Sequence, residues 1–205
     1  MRKKQSKRDR ITALIAVGFV ALLAGIDQLT KYFVVQLISP RDSVVIIKGL
    51  FNFTHWHNDG AAFGILSGRQ TFLITITGVF LVVGIVMLIM GIFRSRWLIA
   101  SITLIIAGGI GNFIDRVSRG YVTDFIELKF INFAIFNFAD MCAVIGSLLL
   151  FVVVVSDEVR EYRAKRACQV DDVQLTVDDV QLTVDDVQLT VDDVQLTVEE
   201  SNNNE

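Results

Sequence analysis

Four aspartates flank or follow the long apolar segments of this chain. Asp115 and Asp124 lie in GGIGNFIDRVSRGYVTDFIELKF, Asp140 lies in FNFADMCAVIG, and Asp27 ends the first apolar segment. Two carboxylates at hydrogen-bond distance cannot both ionise easily, so one keeps a proton and acts as an acid while its partner acts as a base. Such a pair can activate water for attack on a peptide bond without a metal and without a covalent intermediate.

The alternative to catalysis is that each acid pairs with a nearby cation. Asp27 and Lys31 have the i,i+4 spacing of a helical ion pair, and Asp115 is followed directly by an arginine. Asp124 and Asp140 have no cation within four residues. An unpaired acid at the edge of an apolar segment is a functional hypothesis, because acids at membrane depth are rare and expensive. Asp124 and Asp140 are therefore the predicted dyad.

Other site chemistries find less support in the sequence. The only histidines, His55 and His57, form an HWH motif whose i,i+2 spacing puts both on one face of a strand, with Trp56 opposite. No cysteine or third histidine joins them, so we predict no metal site and no cofactor. The chain has no G-x-S-x-G motif, and its AGGIGN stretch lies inside an apolar run, where glycines allow close helix packing.

The composition of the chain indicates a membrane protein. It has 205 residues, of which 53% are hydrophobic and one is proline, and its mean hydropathy is +0.55. A helix that spans a bilayer needs roughly 20 mostly apolar residues. Four segments approach or reach that length, with polar ends near the interface: 11–26, 71–93, 97–114 and 130–156. The predicted fold class is therefore an all-α membrane protein with four transmembrane helices.

The distribution of basic residues predicts the orientation of these helices. Twelve of the nineteen Lys and Arg lie in MRKKQSKRDR, RSRW and REYRAKR. The positive-inside rule places these stretches, and both termini, in the cytoplasm. The segment ends that carry Asp27, Asp115 and Asp140 then meet at the outer face, together with Asp124 in the last outer connection.

Two outer connections contain strand-like patterns. SVVIIKGLFNF, within residues 32–70, is rich in β-branched and aromatic residues and is bounded by turn residues, which predicts short strands. We expect a small extracytoplasmic β-sheet that lies on the outer membrane surface. GYVTDFIELKF in the second connection fits either a strand or a short interfacial helix, and its pattern does not decide between them.

The C-terminal part of the chain has a different composition. VDDVQLT occurs four times over residues 170–197. The seven-residue period suits a coiled coil, but no Lys or Arg balances its acids, and Val, Thr and Asp are weak helix formers. We therefore predict a membrane domain over 1–166 and a solvated, mostly disordered acidic tail over 167–205. Cys142 and Cys168 give no disulfide signal and are expected to be free thiols.

Five stretches of the chain resemble, in order, the motifs of the bacterial lipoprotein signal peptidases, the type II signal peptidases. These stretches are DQLTKYF (27–33), NDGAAFG (58–64), GGIGNFIDR (108–116), GYVTDF (120–125) and FNFAD (136–140). The resemblance implies an aspartic endopeptidase of the bacterial cytoplasmic (inner) membrane. It also implies that diacylglyceryl-modified prolipoproteins are cleaved just before the lipidated cysteine.

The same resemblance implies the partners and the catalytic residues. The partners are the prolipoprotein substrates and membrane lipid, with no nucleic acid, and the protein is expected to be a monomer. The catalytic pair of the family matches Asp124 and Asp140, in agreement with their lack of nearby cations. Asp115 matches a supporting residue that holds Arg116 or the helix end in place.

The remaining family positions match polar residues around the predicted dyad. Asn112 and Asn137 match asparagines that would orient the acids or the substrate backbone through hydrogen bonds. Asn58 matches a polar position on the outer loop, where a lid over the substrate is expected. Asp27 and Lys31 match the motif of the first helix and would stabilise the floor of the site.

Two other functions compete with the peptidase. A proton-coupled transporter or channel would use the acids as a relay, but it predicts acids spread through the depth of the bilayer, whereas these gather at one edge. A non-enzymatic scaffold would recruit a cytoplasmic partner through the acidic tail. Such a scaffold would depend on residues 167–205, whereas a peptidase would not.

Overall fold

The computed structural model describes residues 2–61, 65–93, 95–166 and 181, with side chains from residue 11 onward. The chain divides into two compact units, Met1–Val153 and Val154–Glu205. All of the predicted site residues belong to the first unit. The described residues of the second unit are mainly a helical stretch whose side chains are exposed. The predicted tail and Cys168 fall outside the described residues, apart from residue 181.

Four helices of the described chain have the length and apolarity of membrane spans. They are α1 (Arg2–Leu37), α2 (Gln70–Ile89), α3 (Arg96–Arg119) and α4 (Phe138–Arg166). The predicted number of spans is confirmed, but several boundaries differ from the prediction, and two of these differences bear on the site. Helix α1 continues past residue 26 to Leu37, and α4 begins at Phe138 and not at residue 130.

The outward faces of these helices are apolar. Leu14 and Phe80 are both 72% exposed, and Phe151 is 66% exposed. Apolar side chains exposed on long helices fit contact with lipid, where a helix satisfies its own backbone hydrogen bonds.

Glycines of α3 allow α4 and α1 to approach closely. A Cβ at Gly108 would overlap the carbonyl oxygen of Ala139 and lie 2.9 Å from the backbone nitrogen of Ala143. A Cβ at Gly111 would overlap a carboxylate oxygen of Asp27. The absence of side chains at both positions therefore brings α1, α3 and α4 together at the level of the predicted site.

Three antiparallel strands form one small sheet in the order β1-β2-β3. They are β1 (Ser43–Ile47), β2 (Phe51–Asn58) and β3 (Val122–Leu128). The strands predicted in the first connection are confirmed, and the undecided second connection forms a strand because it pairs with β2. Ile126 also bridges to Phe136, so the chain returns to the edge of β3 immediately before α4 begins.

A small apolar cluster attaches the sheet to the bundle. Val34 and Ile38, at the C-terminal end of α1, pack with Phe125 of β3. Phe125 is only 4% exposed, although it follows an aspartate in the sequence. Because successive strand residues point to opposite faces, burial of Phe125 against α1 turns Asp124 to the other face of β3.

Substitution of Gly108 by alanine should separate α4 from α3, because the added Cβ would meet backbone atoms of Ala139 and Ala143. We expect a loss of roughly 1–3 kcal/mol in stability, measured as a lower unfolding temperature in detergent. Gly109→Ala is the matched control, since its Cβ would meet the flexible end of Leu81. Equal stability of the two variants would contradict the proposed close contact.

Candidate active site

Asp124 lies near the start of β3 and is only 2% exposed. Its Oδ2 accepts a hydrogen bond of 2.9 Å from Asn58 Nδ2, and its Oδ1 accepts one of 2.6 Å from Asn137 Nδ2. The strand register explains the first contact, because Asn58 pairs with Val122 and is therefore a diagonal neighbour of Asp124. Among the described residues, Asp124 forms no ion pair within 4 Å.

Asp140 lies in the first turn of α4, where it takes part in a capping box with Asn137. Asn137 Oδ1 accepts from the Asp140 N–H at 3.0 Å, and Asp140 Oδ2 accepts from the Asn137 N–H at 3.1 Å. Asn112 Nδ2 of α3 donates to Asp140 Oδ1 at 2.7 Å. A carboxylate in this position is also stabilised by the positive end of the helix dipole. The reciprocal cap explains why α4 begins at Phe138.

Asn137 joins the two acids. Its side-chain nitrogen donates to Asp124, while its backbone N–H donates to Asp140. Burial and then the neighbouring Asp140 raise the pKa of Asp124 to about 7, against the smaller opposing effect of its amide partners. One carboxyl that holds a proton near neutral pH beside a second acid is the arrangement that acid–base catalysis requires.

Beneath the two acids lies a buried lysine. Lys31 is completely buried, and its Nζ lies 2.9 Å from Asp27 Oδ2, 3.1 Å from Asp115 Oδ2 and 2.9 Å from Asn112 Oδ1. The predicted i,i+4 pair of Asp27 and Lys31 is confirmed, and the lysine also pairs with an acid on α3. All three N–H bonds of the ammonium group have an acceptor, as a buried charge requires.

Asp27 and Asp115 also accept from backbone N–H groups of the elements that carry the predicted dyad. Asp27 Oδ1 accepts from the N–H of Ala139 in α4 at 2.9 Å, and Asp115 Oδ2 accepts from the N–H of Thr123 in β3 at 3.1 Å. Both acids are fully buried or nearly so. They therefore fix the positions of α4 and β3. This agrees with the hypothesis that these two acids have a structural role.

Arg116 and Asp115 are adjacent in sequence, but their side chains contact different groups. Its Nη2 donates to the carbonyl oxygen of Gly60 at 2.8 Å, whereas Asp115 lies 3.7 Å from Nη1 of Arg119 and pairs with Lys31. Gly60 belongs to the NDGAAFG stretch, of which residues 62–64 fall outside the described residues. Arg116 therefore holds the outer loop close to the end of α3.

Sequence reasoning missed the role that the structure gives Asn58. The resemblance matches Asn58 to a polar position on the outer loop, where a lid is expected. In the structure its amide also donates to Asp124, and its Oδ1 accepts from the Gly60 N–H at 3.0 Å. The pairing register of β2 with β3 produces this contact. No local pattern near residue 58 reveals which residues of β3 lie opposite.

The two histidines contact each other on β2, where His57 pairs with Thr123 of β3. His57 Nε2 lies 3.1 Å from His55 Nε2, and His55 Nδ1 lies 2.8 Å from the carbonyl oxygen of Ile38. Their predicted common face is confirmed, and Trp56 between them is 45% exposed. Within the described residues, no three His, Cys, Asp or Glu side chains are grouped so that they could hold a metal ion.

Comparisons with known proteins give consistent matches over most of the first unit, Met1–Val153. The family model described as signal peptidase (SPase) II matches residues 19–156. The lipoprotein signal peptidase of Enterococcus faecalis is 42% identical over 150 residues, which are 72% of this chain and 93% of the relative. That of Streptococcus thermophilus is 43% identical over 144 residues, which are 70% of this chain and 94% of the relative.

A solved structure is also similar to this chain. It is described as a bacterial membrane enzyme determined by the in meso method at 2.3 Å resolution, and it is 35% identical in sequence. The match has a TM-score of 0.66 and covers 70% of this chain and 89% of that one.

The raised pKa of Asp124 predicts a dependence of stability on pH. Because the folded state holds the Asp124 proton up to about pH 7 and the unfolded chain releases it near the usual aspartate pKa of 3.8, this group stabilises the fold in acid and loses that effect as the pH rises to 7. Relative to Asp124→Asn, which cannot titrate, the unmodified protein should lose up to roughly 4 kcal/mol of stability over this interval. Unfolding temperatures of both proteins in one detergent, compared across that pH range, provide the measurement.

Glu127→Gln is the matched control on the same strand. Hydrogen bonds from Lys129 and Thr54 lower the pKa of Glu127, so the difference between this variant and the unmodified protein should have the opposite sign. If the stability curves of the unmodified protein and Asp124→Asn are parallel from pH 4 to pH 7, the raised pKa of Asp124 is wrong.

Proposed function

This chain belongs to the signal peptidase II family, and we propose that Asp124 and Asp140 are the catalytic dyad of its peptidase activity. The protein is a multi-pass membrane aspartic endopeptidase that removes signal peptides from prolipoproteins. The observation that carries the proposed dyad is the contact of one residue, Asn137, with both acids.

The two acids have different environments, which supports different roles. Asp124 is almost fully buried on a strand and has a raised pKa, so it holds the proton that the pair shares near neutral pH. Asp140 is only partly buried and lies at a helix N-terminus, where an ionised carboxylate is stabilised. Asp140 is therefore the base in the first step, and Asp124 is the acid.

The proposed reaction uses a water molecule bound between the two carboxyl groups. The water oxygen attacks the carbonyl carbon of the scissile bond while Asp140 takes a proton from the water. At the same time Asp124 gives its proton to the carbonyl oxygen. The resulting tetrahedral diol collapses when Asp124 takes back that proton and Asp140 protonates the departing nitrogen. The dyad then returns to its initial protonation state, and the products are a carboxylic acid and an amine.

Arg116 and Asn58 are proposed to face the substrate side of the dyad. Both contact Gly60 in the outer loop. The buried Nε–H of Arg116 has no hydrogen-bond partner among the described residues, and a substrate carbonyl would satisfy it. The acids Asp140 and Asp124 lie within electrostatic range of this guanidinium, so a substrate chain held there would pass beside the dyad.

The dyad is proposed to lie at the outer membrane face, with both termini in the cytoplasm. This orientation rests on the twelve Lys and Arg in the flanking stretches on the opposite side. Apolar side chains of the edge strand β1 are exposed near Lys48, for example Val45 at 59%, which suits contact of the sheet with a membrane interface. Contact with membrane lipid is therefore part of the proposal.

The substrate is proposed to be cut just before a lipid-modified cysteine, because acyl chains keep that cysteine in the bilayer and a peptidase must reach it at membrane depth. The protein is proposed to act as a monomer. Every group assigned to the dyad and its supports comes from one chain, so a second copy need not complete the site.

Substitution of either acid should remove the activity. We expect Asp124→Asn and Asp140→Asn each to reduce cleavage of a diacylglyceryl-modified precursor by about 10⁴-fold or more, because neither amide can exchange a proton with water. Cleavage is measured with purified protein in detergent, and sequencing of the new N-terminus identifies the cut bond.

Glu127→Gln on the same strand is the matched control, and it should keep the activity of the unmodified protein. Its side chain pairs with Lys129 and contacts Thr54, and neither of them contacts the dyad. A folded Asp124→Asn or Asp140→Asn protein with full activity would reject the assignment of the dyad.

The proposed orientation predicts which positions are accessible from outside the cell. In a Cys142→Ala background, a membrane-impermeant maleimide should label Ser43→Cys, which is exposed on β1, in intact cells. The native Cys168 should react only after the membrane is permeabilised, and Cys168→Ala provides the control for this signal. Labelling of Cys168 in intact cells would show that the orientation is reversed.

A further inference from the structure

We propose that Lys31 is a positioning residue of the dyad, because it fixes the side-chain amide of Asn112 in the one orientation that presents a donor to Asp140. This inference rests on the proposed dyad of Asp124 and Asp140. It assigns to the buried lysine a part in the reaction in addition to its ion pairs with Asp27 and Asp115.

The orientation of Asn112 follows from the chemistry of its neighbours. An ammonium group can only donate, so the atom of Asn112 that lies 2.9 Å from Lys31 Nζ must be the carbonyl oxygen. The amide nitrogen must then lie on the other side, where it donates to Asp140 Oδ1 at 2.7 Å. A flipped amide would place its nitrogen against the ammonium group and its oxygen against the carboxylate. Lys31 therefore excludes the orientation that would require Asp140 to carry a proton.

The constraint extends through Asn137 to the second acid. Asn112 Oδ1 also accepts from Asn137 Nδ2 at 3.1 Å, and the same nitrogen donates to Asp124 Oδ1 at 2.6 Å. Asn137 Oδ1 is occupied by the N–H of Asp140. Both amides are thus locked, and each acid receives only donors from them. The proton of the proposed dyad is therefore not directed at either amide, and it is available to the proposed water molecule.

Lys31 acts on the proposed dyad more through the direction of its hydrogen bond to Asn112 than through its charge. The charge of Lys31 is shared between Asp27 on α1 and Asp115 on α3. Among the groups that shift the pKa of Asp124, Lys31 has the smallest effect. Arg116 on α3 lies within electrostatic range of both acids, and Arg119 on the same helix lies 3.7 Å from Asp115.

Replacement of Lys31 by methionine tests the proposal. We expect kcat to fall roughly 10- to 100-fold with little change in KM, because the amides no longer hold the acids in the reactive geometry. The alkaline limb of the pH–rate profile, which reports ionisation of Asp124, should move to higher pH by about 1 unit, because the loss of a cation and of fixed donors disfavours the charged carboxylate.

A second variant preserves the buried charge balance. Removal of Lys31 alone leaves Asp27 and Asp115 without their shared cation, which is strongly destabilising. In Lys31→Met/Asp115→Asn, one positive and one negative charge are removed together, so folding is less affected. The same fall in kcat and the same shift of the alkaline limb are expected. Lys129→Met is the control for a lost lysine, since Lys129 is 42% exposed and pairs with Glu127.

The outcomes separate this inference from the proposed dyad. Activity that survives in Asp124→Asn or Asp140→Asn would reject the dyad itself. If those variants are inactive, but folded Lys31 variants show an unmoved alkaline limb or a change in KM alone, the dyad stands and the positioning role is wrong. Failure of both Lys31 variants to give folded protein would assign Lys31 to stability and would also overturn the proposal.

Discussion

The main constraint on this molecule is the need to satisfy the first backbone N–H groups of α4. These groups have no partner inside the helix, and a buried unsatisfied group in a membrane protein costs several kcal/mol. Asp27 of α1 accepts from the N–H of Ala139, and the capping box satisfies the N–H groups of Asn137 and Asp140. The same contacts place Asp140 beside α3 and β3, so capping of one helix also brings the proposed dyad together.

The available cations divide the four acids into two pairs. Lys31 lies between Asp27 and Asp115, and each of these two acids accepts from the lysine and from one backbone N–H group. Asp124 receives neutral amide donors in place of a cation, and burial raises its pKa to about 7. A buried acid without a counter-ion reduces its charge by keeping a proton. The feature that makes Asp124 costly as a structural residue therefore makes it suitable as a proton donor.

Patterns within a short stretch of sequence predicted the number of spans, the strands before residue 58 and the pair of Asp27 with Lys31. Such patterns depend on helix and strand periodicity, which residues a few positions apart can show. The sequence predicts Asp124 and Asp140 as the dyad because neither acid has a cation nearby in the sequence. No local sequence pattern predicts a contact between distant elements.

The contacts that sequence alone could not predict all join distant parts of the chain. Asn58 reaches Asp124 only because of the register of β2 against β3, which a one-residue slip would reverse. Asp115 reaches Lys31 because Gly111 allows α1 and α3 to approach. Local patterns could also not fix the start of α4, because the cap that begins it includes Asn137 in an otherwise apolar stretch.

The junction of a strand and a helix end suits a peptidase that acts on a membrane-embedded chain. A signal peptide that is helical in lipid satisfies its own backbone hydrogen bonds, so its peptide bonds are protected from attack. The scissile bond becomes reachable where the chain leaves the helix and its backbone groups need new partners. Near the proposed dyad, Arg116 has a buried Nε–H without a partner among the described residues. An extended substrate segment would satisfy that donor while it brings a carbonyl group to the acids, so binding and the unwinding of the substrate would be coupled.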